Sequence, residues 1–205
     1  MPYRCDGGGG QPIWRISGAV GAVRTNLVFD GDRVRAEQLT VAATVGRFAT
    51  PRLGLSLTLG GLVAGSIDDR RLGPGGSGSL GITWLARRER SHRRTPFVLV
   101  TGSFAGVVAG STTDDGDATY VALDARVGIA VGKTFFQKLT LYGGARVFGG
   151  PVWWRRLGAG VIGSDAYHVT VGAGVTYRIP GVLDLGVEAM PLGEQSAVAS
   201  VTVHL

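Results

Sequence analysis

The sequence predicts an all-β protein, an antiparallel up-and-down transmembrane β-barrel of ten strands, with eight strands as the alternative. Apolar residues alternate with small or polar ones through most of the chain, as in Leu-Gly-Leu-Ser-Leu-Thr-Leu at 53–59. Successive side chains of a strand point to opposite faces, so one face of the sheet is apolar. The other face carries mainly Gly, Ser, Thr and a few charges, which would make a poor core. We therefore expect the apolar face to contact lipid.

Length and composition are consistent with one folded unit. The 205 residues suit a single barrel domain over 13–205, preceded by a flexible leader over 1–12. The 35 glycines follow no collagen period and lie within alternating apolar runs. The net charge of +6 comes without a basic helix or an aromatic RNA-binding motif, so no nucleic-acid partner is expected. The single cysteine excludes an intramolecular disulfide and a cysteine-based metal site.

Ten segments read as strands, and most reach the roughly 9–11 residues that a tilted membrane-spanning strand requires. In the fifth segment both residue parities are apolar, so its faces stay unassigned, and 96–113 could alternatively form a short transmembrane helix. Eight strands would result if two segments merged or lay in a loop. The predicted strands run over about 13–24, 37–48, 53–66, 78–88, 97–109, 119–131, 139–148, 166–179, 182–190 and 197–205.

The connections between these segments alternate in length. Shorter ones would lie at one end of the barrel, apart from the long basic stretch at 87–96. Longer loops would lie at the other end, as in bacterial barrels with short periplasmic turns. The shorter set is 50–52, 87–96, 133–138 and 180–182, and the longer set is 26–35, 68–76, 111–118, 149–165 and 191–196.

The Gly-spaced strands and the ending Ala-Ser-Val-Thr-Val-His-Leu resemble small bacterial outer-membrane β-barrels of the OmpA-like or OmpW-like kind. The last strand resembles the signal that the barrel-assembly machinery reads, although Leu205 stands where that family usually has an aromatic residue. The resemblance implies outer-membrane localisation and an assembly-machinery partner, but no particular activity. Residues 1–12 lack the charged and apolar regions of a signal peptide, so we expect a mature chain or a start placed too late.

Charged residues on the polar parity should lie in the lumen. In the hairpin of the predicted strands 166–179 and 182–190, odd positions are apolar on both strands. Residues paired across two strands share a face, so paired residue numbers must sum to an even value. A three-residue loop at 180–182 satisfies this rule and predicts a cross-strand ion pair between Arg178 and Asp184. Mutual neutralisation of the cluster is the structural interpretation, and an arginine-lined pore or ligand site is the functional one. The predicted cluster comprises Asp124, Arg126, Arg146, Arg178, Asp184 and Glu188.

Aromatic residues near the strand ends predict a girdle at the membrane interface. Within the longest predicted loop, Trp-Trp-Arg-Arg at 153–156 combines aromatic rings with cations that could pair with lipopolysaccharide phosphates. We expect outer-membrane lipid as the partner of this set, either through plain interfacial anchoring or through lipopolysaccharide phosphates bound by the arginines. The predicted interfacial or lipid-contacting residues are Trp14, Trp84, Trp153, Trp154, Arg155, Arg156, Tyr167 and Tyr177.

Catalytic and metal-binding patterns are weak, so we expect neither an enzyme nor a cofactor. The chain has no Asp-x-His couple of the omptin kind, and His168 with Thr170 lacks the serine of barrel hydrolases. The acidic tip Asp-Asp-Gly-Asp at 114–117 lacks the downstream Glu of a calcium loop.

The leading hypothesis is a non-enzymatic outer-membrane barrel whose loops or rims contact lipid, the envelope or a protein. A narrow channel for small solutes is the alternative, if the Gly-rich lumen is unfilled. A soluble barrel that binds an apolar ligand, with the apolar parity turned inward, is the second alternative.

Overall fold

The structure is a computed structural model. It describes residues 14–68, 70–89, 95–113, 116–156 and 159–205, without the side chains of 112, 113, 116, 117, 155, 156 and 159. The predicted leader therefore lies outside the described residues. Within these ranges no helix is long and apolar enough to cross a membrane. The strands are β1 (Trp14–Phe29), β2 (Asp32–Phe48), β3 (Leu53–Ile67), β4 (Arg70–Arg87), β5 (Phe97–Thr113), β6 (Gly116–Phe135), β7 (Leu139–Gly149), β8 (Pro151–Arg156), β9 (Ala159–Asp165), β10 (Val169–Ile179), β11 (Leu183–Leu192) and β12 (Gln195–His204).

Ten of these strands close into an antiparallel up-and-down barrel, which confirms the predicted fold class. β1 to β7 pair in sequence, β7 pairs with β10, and β12 pairs with β1 to close the ring. We call the end where β1 begins and β12 finishes the termini end. There the backbone NH of Leu205 donates to the carbonyl oxygen of Trp14 at 2.8 Å. The opposite end is called the hairpin end. The alternative helix at 96–113 is wrong, because these residues form β5.

Several predicted loops at the hairpin end are strands instead. The connection expected at 26–35 consists only of Asp30 and Gly31, whose φ angles of 50° and 89° give a tight hairpin turn. The loop expected at 149–165 contains β8 and β9. β8 pairs with the upper part of β6, and β9 pairs with the upper part of β1. At this end the wall therefore consists of eight strands, β1 to β6 with β8 and β9.

The side of the wall that is apolar changes between the two ends. Toward the termini end the apolar residues point outward, as shown by the exposed Leu55, Leu57 and Leu59 of β3. Toward the hairpin end they point inward, as with Leu27 and Phe29 of β1. A membrane barrel that projects beyond the bilayer requires this change, because its outer surface passes from lipid to water. β5 follows the same plan, with Phe104 and Val108 exposed and Ala109 buried.

The inward apolar residues at the hairpin end form one buried cluster, which we call the apolar plug. Its members come from strands on opposite sides of the eight-stranded end of the barrel, and they fill the space between those strands. They are Leu27, Phe29, Val34, Ala36, Leu62, Ile67, Leu72, Ala109, Tyr120, Val152 and Trp154.

Candidate functional site: the lumen and its two ends

Near the termini end, the predicted ion pair between Arg178 and Asp184 is present and is therefore confirmed. The two residues are direct cross-strand partners, and the hairpin loop spans Pro180 to Val182. Arg178 Nε and Nη2 donate to the two carboxylate oxygens of Asp184 at 2.9 and 3.0 Å. His204 Nε2 lies 2.9 Å from Asp184 Oδ2. The carboxylate of Asp184, whose side chain is 2% exposed, is thus bound by groups from two neighbouring strands.

A second group of luminal charges lies near mid-barrel. Arg146 Nη2 donates to Glu188 Oε1 at 2.5 Å, and the hydroxyl of Tyr142 donates to Glu188 Oε2 at 3.1 Å. Two small spaces in the lumen are lined by Tyr142. One of about 260 Å³ is lined in part by Arg15, Arg146 and Thr83, and one of about 200 Å³ in part by Ser200. The side chains therefore narrow the mid-lumen without filling it completely.

The third group lies directly beneath the apolar plug. Arg126 Nη1 and Nη2 donate to the two carboxylate oxygens of Glu194 at 2.7 and 2.9 Å, and its Nε donates to Asp124. The guanidinium also stacks 5.4 Å from the ring centroid of Phe148. Glu194 belongs to the turn between β11 and β12, yet its side chain is only 5% exposed. This fork-to-fork pair therefore holds the tip of the short β11–β12 hairpin against the lumen.

Asp165 adds a further carboxyl group at the base of the β8–β9 hairpin, outside the ten strands that close the ring. Burial, followed by the nearby charges of Asp124 and Glu194, raises the pKa of Asp165 from 3.8 to about 6. Arg126 and the hydroxyl of Thr25 partly oppose this increase. The carboxyl group of Asp165 is therefore easier to protonate than an ordinary aspartate.

The structure divides the predicted lumen cluster into these three groups instead of one patch. In each group an arginine is paired with at least one carboxylate, which is the arrangement expected when charges leave bulk water. The sequence analysis missed Tyr142, Glu194 and His204 as members. Tyr142 and His204 share the polar parity of their strands and could have been found by that signal. Glu194 could not, because parity does not extend through a turn.

Trp154 does not contact lipid, so its predicted place in the interfacial set is wrong. It is 4% exposed within the apolar plug, and its ring centroid lies 5.7 Å from that of Phe29. Its Nε1 donates to the buried hydroxyl of Ser111 at 3.0 Å. Residues 153 and 154 are consecutive in β8, so they must face opposite sides of the wall. Trp153 takes the outward side and is 37% exposed.

The other predicted interfacial rings are exposed on the outer wall. Trp14 and Trp84 lie at the termini end, where the guanidinium of Arg47 stacks 5.3 Å from the ring centroid of Trp14. Tyr177 lies at the same end, and Tyr167 lies near the start of β10. Arg155 and Arg156 belong to β8, but their side chains lie outside the described residues, so their contact with phosphate stays a prediction.

Among the described residues, the neighbours of His168 do not assemble a catalytic arrangement. Its Nδ1 lies 3.2 Å from the carbonyl oxygen of Phe148, while Thr170 donates instead to the carbonyl oxygen of Leu192 at 2.7 Å. In the described part of the chain no group of three or more His, Cys, Asp or Glu side chains could hold a metal ion. His92 and the tip at 114–115 lie outside the described residues, as does the side chain of Asp117.

Comparisons with known proteins identify the fold. No protein-family model and no curated protein matches the sequence. Among solved structures, the translocator domain of the autotransporter NalP from Neisseria meningitidis is 12% identical, with a TM-score of 0.51 over 97% of this chain and 89% of that one. The outer membrane protease OmpT from Escherichia coli is 8% identical, with a TM-score of 0.52 over 94% of each chain.

An outer membrane channel from Pseudomonas putida F1 is 9% identical, with a TM-score of 0.53 over 100% of each chain. The fold is that of an outer-membrane β-barrel. The resemblance predicted from the strand pattern is therefore confirmed at the level of the fold. Because a protease, a channel and a translocator domain share this fold, it does not select an activity.

Proposed function

We propose that this chain is an integral β-barrel of a bacterial outer membrane, closed along its axis, that acts through its rims and outer wall. In this proposal the barrel is neither an open pore nor an enzyme. The termini end faces the periplasm and the hairpin end faces outward. The barrel-assembly machinery inserts the chain, and lipid is its principal contact.

The apolar plug is the observation that carries this proposal. Its residues come from strands on opposite sides of the barrel, and the buried rings of Phe29 and Trp154 are in contact inside it. A solute moving along the axis would have to displace this packed cluster, and interiors of this kind resist such displacement. Beneath the plug, the paired charges of Arg126 and Glu194 narrow the lumen further.

Conductance in planar lipid bilayers tests the closed state. We expect the wild-type protein to insert without producing conductance steps. A matched variant lacks residues 151–165, so that it loses β8, β9 and two plug residues. β7 and β10 pair directly up to Val147 and Val169, so the ten-stranded wall can close without this hairpin. Steps from the variant alone would support the plug as the seal, and steps from the wild type would contradict the proposal.

A narrow channel is the second candidate, favoured by the spaces that Tyr142 lines in the mid-lumen. In that case the β8–β9 hairpin would have to move during transport, so that its two residues leave the apolar plug. Joining the hairpin to the wall by an engineered disulfide would abolish solute uptake by a channel. It would leave a permanently closed barrel unaffected. Swelling of proteoliposomes in small solutes distinguishes the two outcomes.

A further inference from the structure

Five exposed cations of the described chain lie at the termini end of the barrel. They lie in or next to three connections, namely β2–β3, β4–β5 and β6–β7. The exposed side chains, which we call the basic rim, are Arg47, Arg52, Arg87, Arg88 and Lys138.

Neighbouring backbone contacts hold part of the basic rim together. The NH of Leu85 donates to the carbonyl oxygen of Arg52 at 2.7 Å, which ties the end of β4 to the β2–β3 turn. Arg88 Nη2 donates to the carbonyl oxygen of Pro51 at 3.4 Å. Arg52, Arg87 and Arg88 therefore belong to one continuous piece of surface.

Among the described residues, no exposed acidic side chain balances these cations at the termini end. Glu89 is 7% exposed, lies 3.3 Å from the ammonium of Lys133, and accepts the backbone NH of Thr134. Asp184 is 2% exposed and is already paired within the lumen. At the hairpin end, in contrast, exposed Asp30, Asp32 and Asp68 lie among the exposed arginines. The basic rim thus presents a one-sided positive potential.

The basic rim lies next to the band of exposed apolar side chains on the outer wall. Trp14 and Trp84 mark the edge of that band, and tryptophan prefers the level of the lipid headgroups. Trp84 pairs with Leu53, the residue after Arg52, and Arg47 stacks on Trp14. The cations therefore lie where phosphate groups of the adjoining leaflet would lie.

We infer that the basic rim binds anionic glycerophospholipid headgroups of the leaflet on the termini side. This inference rests on the proposed membrane location and goes beyond it by naming the lipid class and the leaflet. Guanidinium groups pair with phosphate through two parallel hydrogen bonds, and several cations at one surface act together. Binding of a phospholipid here anchors the barrel at a fixed depth.

Quenching of tryptophan fluorescence by brominated lipids tests the inference. The chain has four tryptophans. Trp153→Phe removes the exposed one near the hairpin end, and Trp154 is buried away from lipid. The remaining lipid-exposed reporters, Trp14 and Trp84, both lie at the basic rim. Brominated phosphatidylglycerol and brominated phosphatidylcholine are then compared in phosphatidylcholine vesicles that contain the refolded full-length protein.

We expect phosphatidylglycerol to bind beside these tryptophans about three- to tenfold more favourably than phosphatidylcholine. The preference should fall to near one in a triple variant with Arg52→Gln, Arg87→Gln and Arg88→Gln. A matched triple variant with Arg33→Gln, Arg35→Gln and Arg71→Gln removes the same charge from the hairpin end. It should keep the preference.

The other outcomes separate the possible failures. Equal quenching by both lipids in the Trp153→Phe protein overturns the inference but leaves the membrane barrel intact. Loss of the preference only in the hairpin-end variant also overturns it. Quenching by neither lipid contradicts the proposed membrane location itself. If the lipids quench equally but insoluble peptidoglycan sediments the protein through these arginines, the ligand is the acidic polymer and the lipid inference is wrong.

Discussion

Replacement of Trp154 by alanine tests the apolar plug at its centre. The indole is 4% exposed, contacts the ring of Phe29, and donates to the buried hydroxyl of Ser111. Truncating a buried tryptophan costs about 3–5 kcal/mol, and loss of the donor to a buried hydroxyl adds to that cost. We therefore expect Trp154→Ala to lower the free energy of opening of the β8–β9 hairpin by about 4 kcal/mol.

Amide hydrogen exchange in detergent micelles measures this opening directly. A loss of about 4 kcal/mol corresponds to exchange of the hairpin amides up to about a thousandfold faster. Trp153→Ala is the matched control, because Trp153 is the preceding residue and points to the outside of the wall. We expect it to cost about 1 kcal/mol or less. Equal effects of the two substitutions would refute the assignment of Trp154 to a packed seal.

Three further predictions test the buried charges and the close backbone contacts. Glu194→Gln should lower the free energy of unfolding by about 2 kcal/mol, because the half-buried Arg126 loses the charge of its buried partner and keeps only Asp124. Glu37→Gln, in an exposed pair, should cost under about 1 kcal/mol. Urea unfolding measures both, and equal losses would contradict the buried pair. Asp165 has a pKa raised from 3.8 to about 6, so its ionisation opposes folding. The free energy of unfolding of the wild type should therefore fall by about 1 kcal/mol as the pH rises from 4 to 7. Asp165→Asn should flatten this fall, and an unchanged pH profile would contradict the shift. Gly150→Ala would place a Cβ 1.9 Å from a backbone carbonyl oxygen and should lower the melting temperature markedly, whereas Gly160→Ala meets no atom within 4 Å and should be nearly neutral. Comparable melting temperatures for the two variants would show that the backbone at residue 150 can move away from the facing carbonyl oxygen, and would contradict the close contact.

Strand alternation predicted the ten-stranded wall and, in one hairpin, the register as well. The rule that paired residues share a face was sufficient to place Arg178 opposite Asp184. It succeeded because outward residues of both strands are uniformly apolar there. A one-residue slip would have turned every apolar side chain into the lumen.

The hairpin end could not be predicted by the same rule. In β1 the apolar parity changes from Ile16 and Val20, which point outward, to Leu27 and Phe29, which point inward. Without this change, the rule expects apolar residues at even positions throughout β1. The inward residues lie at odd positions, so the rule assigns them to a loop. The change itself is a usable signal, because in the proposed membrane barrel it marks the level at which the wall leaves lipid.

The candidate site was only partly predictable for a related reason. The three luminal arginines were identified from parity, but their division into separate groups depends on how the strands stagger around the barrel. The predicted place of Trp154 is wrong because the sequence pattern predicts a loop where β8 lies, and alternation does not apply within a loop. Only the pairing of β8 with β6 and β9 assigns its faces.

The central claim is that the outward apolar band is in contact with lipid, and gel migration before and after boiling tests it most directly. We expect the purified protein to fold only in detergent or lipid. Unboiled, it should migrate as a compact β-rich form, and heating should shift it to the mobility of the unfolded chain. A monomeric, β-rich protein in plain buffer would contradict the claim, because the exposed leucines of β3 would then have to be buried inside the barrel.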